Sequence, residues 1–122
     1  MNESILNSIK KLIGLPEDYD HFDVDIMIHI NSVLATLNQL GVGPEGGFSI
    51  TGASETWADF LQDEKVLDSV KSYVYLKVRL TFDPPFSPAV IESFKEMTAE
   101  YEWRLMVAVE FEKSKEESEG DG

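Results

Sequence analysis

Acidic and histidine residues near the start of the second predicted helix form the densest set of possible metal ligands in the chain. Asp25 and His29 would share a helix face at a spacing of four residues. An EF-hand calcium loop does not fit, because Phe22 occupies a ligand position and the required glycine is missing. Acidic residues also gather at helix N-termini because they complement the helix dipole. We therefore expect no metal site and retain only three candidate ligands, which are His21, Asp25 and His29.

Glycines and a proline crowd the segment from residue 41 to residue 52, and residues 41–46 formally match the G-x-G-x-x-G string of dinucleotide-binding enzymes. In those enzymes the string follows a strand and opens a helix, whereas here it follows a predicted helix and opens none. Glu45 would also stand where a phosphate should sit. We predict no cofactor and a mobile or tightly bent loop, with candidate neighbour contacts at Gly43, Pro44, Gly46, Gly47 and Phe48.

Catalysis has little support elsewhere in the sequence. No G-x-S-x-G nucleophile motif and no P-loop are present, and Glu100 and Glu102 would point to different faces of one helix. Glu100 and Arg104 instead have the spacing of a surface ion pair. The sequence therefore favours a protein that is not an enzyme and has no catalytic residue.

The charge balance bears on possible partners. The 122-residue chain has 23 acidic and 10 basic residues and a net charge of −13. A grip on a phosphate backbone needs clustered Lys and Arg, so direct nucleic-acid binding is disfavoured. The absence of cysteine removes disulfides and thiol catalysis. With no secretory or membrane-spanning pattern, we expect a soluble protein that stays where it is made.

Apolar spacing and helix terminators predict one all-α domain, a small bundle of about five helices with a glycine-rich loop after the second helix. Asp23, Ser54, Asp63 and Ser87 are the predicted N-caps of the last four helices. A short extended stretch is predicted at 48–51. The domain would span residues 1–112, and the charged segment 113–122, which has no apolar residue, is predicted to be a disordered acidic tail.

Two predicted helices carry more apolar surface than a small bundle covers easily. The helix from Asp63 to about Phe82 is apolar on nearly every side, as in a helix that is central in a bundle or shared with a neighbour. We take three residues spaced by four along it as candidate interface contacts: Lys71, Tyr75 and Arg79. The last helix has a predicted core face at Val90, Phe94, Met97, Tyr101, Leu105 and Ala108. A second row on it supplies the remaining interface candidates, Trp103, Val107 and Phe111.

Taken as whole strings, the chain resembles the head-tail connector (adaptor) proteins of long-tailed bacteriophages and prophages, also labelled phage DNA-packaging proteins. The resemblance covers residues 5 to about 112, and its strings occur in family order. They are Ile9-Lys10-Lys11-Leu12-Ile13-Gly14-Leu15-Pro16, Tyr19, Phe22-Asp23, Asp25-Ile26, Ile30-Asn31-Ser32-Val33, Leu37-Asn38-Gln39-Leu40-Gly41-Val42-Gly43-Pro44, Trp57-Ala58-Asp59-Phe60-Leu61, Val70-Lys71-Ser72-Tyr73-Val74-Tyr75-Leu76-Lys77-Val78-Arg79-Leu80, Phe82-Asp83-Pro84-Pro85 and Tyr101-Glu102-Trp103-Arg104-Leu105.

The resemblance implies a structural subunit that is no enzyme, needs no cofactor and touches no membrane. Such subunits form a ring of about a dozen copies beneath the portal protein, at the head-tail joint of the virion, after assembly in the host cytoplasm. The C-terminal helix and the arm after it would help to dock on the portal, and a loop would face the next neck or stopper protein. DNA would pass through the ring without specific binding. Two alternatives stay open: an acidic DNA-mimicking or regulatory binding protein, and a metal-dependent enzyme at His21, Asp25 and His29.

Overall fold

Five α-helices make up the regular structure in the computed structural model, which describes residues 2–120. They are α1 (Ile5–Leu12), α2 (Asp23–Gln39), α3 (Trp57–Phe60), α4 (Glu64–Phe82) and α5 (Pro88–Gly120). The prediction of an all-α fold with a long last helix is confirmed. The stretch 48–51 forms no strand, and within the described residues extended pairing is limited to an isolated bridge between Ser4 and Thr56.

Side-chain caps fix the starts of α3 and α4. Asp63 accepts a 2.9 Å hydrogen bond from the Lys65 amide and caps α4, as predicted. The cap of α3 is Thr56 and not Ser54. The Thr56 hydroxyl accepts from the Asp59 amide, and the Asp59 carboxylate accepts from the Thr56 amide, so the two residues form a reciprocal capping box. Because Ser54 lies two residues earlier, it cannot reach these amides.

The start of α2 differs from the prediction. The capping position is occupied by Phe22, which makes no side-chain cap, and Asp23 is the first helical residue. The Asp23 carboxylate instead lies 2.9 Å from the ammonium of Lys10, whose side chain is fully buried and also donates a 2.9 Å hydrogen bond to the Glu17 carbonyl. Leaving a buried ammonium without an opposite charge costs more free energy than leaving an exposed helix end without a side-chain cap. Asp23 therefore ties α1 to α2.

The last helix starts just after Ser87, as predicted, and the Ser87 hydroxyl accepts a hydrogen bond from the Val90 amide. Helix α5 extends past Lys113 to Gly120, and disorder of the acidic segment 113–122 stays a prediction. The 33 residues of α5 correspond to a length of about 50 Å. Glu and Lys are strong helix formers, and no proline interrupts the segment, so the helix propagates without a core to support it. Asp121 and Gly122 lie outside the described residues.

The central helix of the bundle is α4, which packs against α1, α2 and α5. Its second apolar face is covered by α5 of the same chain, so no neighbour is needed to bury it. On α5 the buried stripe includes Thr98 and Leu105, while Val90 and Met97 of the predicted core face are exposed. Thr98 satisfies its hydroxyl by donating to the Lys95 carbonyl at 2.8 Å, which lets a polar residue occupy the stripe.

Candidate interaction surfaces

Helix α5 carries an exposed apolar row, called here the α5 row and made of Trp103, Val107 and Phe111, of which Val107 and Phe111 also line the groove described below. Trp103 is 63 % exposed and Phe111 67 % exposed. At 100° per residue, Trp103 and Val107 lie about half a turn from the buried Leu105. Beside the row, Arg104 and Glu100 form a 2.6 Å ion pair. The row thus faces solvent in the single chain, and large apolar groups exposed together are typical of contact surfaces.

A second exposed apolar strip lies on α2 and was missed by the sequence reasoning. Val24 and Ile28 are 66 % and 61 % exposed, and Ala35 continues their face of the helix. These residues point away from the buried Ile26 and Ile30. We call Val24, Ile28 and Ala35 the α2 strip. The sequence does contain a signal for this strip, because one face of α2 is nearly free of charge. Asp25 is the sole charged residue beside the strip, and its other neighbours include the uncharged Ser32 and Gln39.

The glycine-rich loop is pinned to α2 by two asparagines that the sequence reasoning also missed. The Asn31 side chain accepts from the Ile50 amide at 2.7 Å and donates to the Ile50 carbonyl at 3.0 Å. Seven residues later on the helix, Asn38 donates to the Pro44 carbonyl at 2.8 Å. Two asparagines seven residues apart before a glycine-rich loop were the signal that could have revealed this arrangement.

The loop is a tight bend whose glycines have local structural roles. Gly41 and Gly43 both adopt the left-handed conformation, with φ +91° and +92°. Gly41 follows the C-cap of α2, and Phe60 packs directly on Gly43. Phe48 stacks on Phe60 with ring centroids 5.4 Å apart. The candidates at the exposed tip are Pro44, Gly46 and Gly47, so any contact with a neighbour would be made there.

A groove of about 840 Å³ opens where α5 passes over the end of the bundle. Its walls come from the loop at Val42, the start of α4 at Val66 and the C-terminal half of α5 at Leu105 and Ala108. Both acidic and basic side chains also line it, among them Asp63, Lys65, Glu112 and Lys113. The groove is therefore apolar within and mixed in charge outside, as expected for a contact surface more than for a small-molecule site.

The interface candidates on α4, which are Lys71, Tyr75 and Arg79, make contacts within their own chain. The Lys71 ammonium lies 5.8 Å from the Trp57 ring centroid and 3.7 Å from Glu3. Arg79 donates to the Asp83 carbonyl at 2.6 Å and to the Tyr75 hydroxyl at 3.4 Å. All three candidates are half-buried. A role for them at an interface stays a prediction.

The metal candidates are not brought together with further ligands. Within residues 2–120, no three His, Asp or Glu residues are placed to hold a metal ion. His21 packs edge-on against Phe22 at 4.8 Å, and His29 lies 6.2 Å from the Phe82 ring. These aromatic contacts close the end of the bundle where α2 begins and α4 ends.

Comparison with known proteins bears on what these surfaces are for. A family model described as a phage connector protein matches residues 5–112. The chain belongs to the phage connector protein family. The matched span of the connector holds helices α1 to α4, the glycine-rich loop, the α2 strip and the whole α5 row. No curated protein and no solved structure matched the chain.

Membership in this family gives the connector a structural role among other phage structural proteins. The family membership also agrees with the architecture, in which the distinctive features are exposed apolar surfaces on α2 and α5 and a glycine-rich loop held by Asn31 and Asn38. Among the described residues, no helix of the connector is both long and apolar enough to cross a membrane.

Proposed function

We propose that the connector is a head-tail adaptor subunit whose copies form a ring beneath the portal protein of a tailed phage or prophage. The ring completes the DNA-filled head and joins it to the next neck or stopper protein. The protein catalyses no reaction and binds no cofactor. The α5 row is the observation that carries this proposal. Exposing the large apolar side chains of Trp103 and Phe111 to water is unfavourable for a subunit that works alone, and a neighbouring subunit would cover them.

The charge of the connector supports a channel role. DNA moving through a ring meets subunits with a net charge of −13 each, and like charges repel it at short range. A basic lining would instead bind the phosphates and release their counterions, which would hold the DNA in place. An acidic ring therefore encloses DNA without gripping it.

The position of α5 supports docking at its C-terminal end. Phe111 is exposed there, and the side chains of residues 112–117 are exposed too. This protruding, charged end of the helix is available to a partner above the ring and is the part we assign to the portal. The exposed loop tip at Pro44 and Gly47 is the part we assign to the next neck protein.

Electron microscopy tests the proposal. Negative-stain images would be taken of the concentrated connector alone and of the connector mixed with the portal protein of the same phage. Rings are expected in the mixture, stacked on the portal. A Trp103→Glu variant that keeps its helical circular dichroism should form none. If the unmodified connector forms no ring in either sample, the adaptor role is refuted.

A further inference from the structure

The C-terminal half of α5 meets the start of the glycine-rich loop in a close contact. The side chain of Val109 packs against Gly41, so closely that a Cβ added to Gly41 would lie 2.9 Å from Cγ1 of Val109. Gly41 also has a left-handed φ of +91°. Both the backbone conformation and the space that Val109 fills therefore call for glycine at position 41.

Among the side chains that the structure describes, Val109 is the last anchor of α5 on the rest of the chain. The helix is held before this point by the buried Leu105, whereas the side chains of residues 110–117 are all exposed. Val109 itself is half-buried and packs against the hydrophobic core. The position of the α5 end therefore depends on the loop against which Val109 packs.

The start of the loop lies between α5 and α2. On the α2 side, the Val42 amide donates a 2.9 Å hydrogen bond to the Leu37 carbonyl, and the Asn38 side chain donates to the Pro44 carbonyl. The Val42 side chain is buried. The exposed tip begins at Pro44, so a displacement where α5 touches the loop has to pass through two residues to reach the tip.

We propose that Val109 is a positioning residue that couples the end of α5 to the glycine-rich loop. Because each element restrains the other through the same contact, loosening either one loosens the other by the same free energy. The consequence for assembly rests on the proposed function, in which the α5 end meets the portal and the loop tip meets the next neck protein. A protein bound at one of these ends changes the mobility of the other.

Val109→Ala in the full chain tests the coupling without any partner. It should speed amide exchange at Val42, and also cleavage after the exposed Glu45 by a glutamate-specific protease, each by about three- to tenfold, because methyl groups leave a packed contact. Val107→Ala is the matched control. It makes the same change in side-chain size and helix propensity at an exposed position two residues earlier, and it should change neither rate.

Gly41→Ala tests the same contact from the side of the loop. The added methyl group meets Val109 and should speed exchange of the amides of residues 109–113. Gly47→Ala is the control for backbone strain, because Gly47 has a similar φ of +87° with open space around it, and it should leave α5 unchanged.

A Gly41→Ala, Val109→Ala double variant relieves the clash, since the Cβ of residue 109 would lie 3.9 Å from the added Cβ, which is an ordinary contact distance. Exchange in α5 should therefore be no faster in the double variant than in Val109→Ala alone. Summed effects of the two substitutions would show that the two residues act independently, and the coupling would be refuted.

Two further results would overturn the coupling. Faster exchange in α5 of Val109→Ala, with no change at Val42 or Glu45, would show that Val109 anchors only its own helix. Equal effects of Gly41→Ala and Gly47→Ala on α5 would show that backbone strain is the whole cause.

The amide of Ile50 distinguishes a local effect from general unfolding. It is held by Asn31 on the far side of the loop, so its exchange in Val109→Ala should stay unchanged. Equal acceleration at Ile50 and Val42 would refute the coupling, because the variant would then be unstable throughout. These measurements use the connector alone, so they can fail while rings still form on the portal, and they can succeed while rings do not.

Discussion

The hydroxyl of Tyr73 on α4 donates a 2.6 Å hydrogen bond to the carboxylate of Glu102 on α5. Burial raises the pKa of Tyr73, and the hydrogen bond and negative charge of Glu102 raise it further. The pair joins the central helix to the helix that carries the α5 row. It therefore helps to set where that row stands on the surface.

Stability should fall in alkaline solution in a way that depends on Tyr73. The pKa of Tyr73 in the folded protein lies above its unfolded value of 10. The stability that the protonated Tyr73 hydroxyl contributes is therefore complete below about pH 10 and is lost as the pH rises beyond it. In Tyr73→Phe the free energy of unfolding should drop by about 1 kcal/mol at neutral pH, and its decline above pH 10 should be shallower. Urea titrations across pH measure both. Parallel pH curves for the two proteins would contradict this assignment, and Glu102→Gln should give an intermediate slope.

Gly43 should tolerate no side chain. A Cβ at this position would lie 2.5 Å from Cε1 of Phe60, and the left-handed φ of +92° adds backbone strain. Gly43→Ala should cost about 2–4 kcal/mol of unfolding free energy, since backbone strain contributes about 1 kcal/mol and overpacking about 1–3 kcal/mol.

Two nearby glycines provide matched controls for that substitution. Gly47 has a φ of +87° with open space around it, so Gly47→Ala isolates the backbone strain at about 1 kcal/mol. Gly46 has neither a left-handed φ nor a close neighbour, and Gly46→Ala should be nearly neutral. The melting temperature should fall most in Gly43→Ala, less in Gly47→Ala and least in Gly46→Ala. Equal losses in all three variants would show that Phe60 does not limit position 43.

Asn31 should control the mobility of the glycine-rich loop. Asn31→Ala removes both hydrogen bonds to Ile50 and should cost about 1–2 kcal/mol. Amide exchange at Ile50 should speed up accordingly, because its N–H loses its partner. Asn31→Asp keeps the acceptor for that amide and should protect it better than alanine does. If exchange at Ile50 were unchanged in the alanine variant, the loop would be held by its apolar packing alone.

The buried Lys10 should make Asp23 more important than its place at a helix start suggests. Asp23→Ala leaves the ammonium without its counter-charge and should cost about 1–3 kcal/mol, less than for a wholly buried pair because Asp23 is partly exposed. Lys10→Met replaces the ion by an apolar chain of similar length and should cost less. The Lys10→Met, Asp23→Ala double variant should be no less stable than Asp23→Ala alone in chemical denaturation. A double variant with the summed losses would show that the two residues act independently.

Several local features could be predicted well. The spacing of apolar residues gave the helices, Asp63 was identified as the cap of α4, and the exposed α5 row followed from two apolar faces on one helix. Errors arose where one residue had two uses. Asp23 could cap a helix or pair with Lys10, and nothing local decides between them, because the ammonium is thirteen positions away in the chain.

By itself, the sequence determined the number and approximate bounds of the helices, the acidic charge, and the resemblance that the family match confirmed. Only the tertiary structure decided which helix faces are covered and by what. Periodicity fixes which residues share a face, whereas burial depends on elements that are distant in the chain. For that reason α5 could bury the second face of α4 and use Thr98 in its core stripe, while Trp103, Val107 and Phe111 were left in solvent together with the unforeseen Val24 and Ile28.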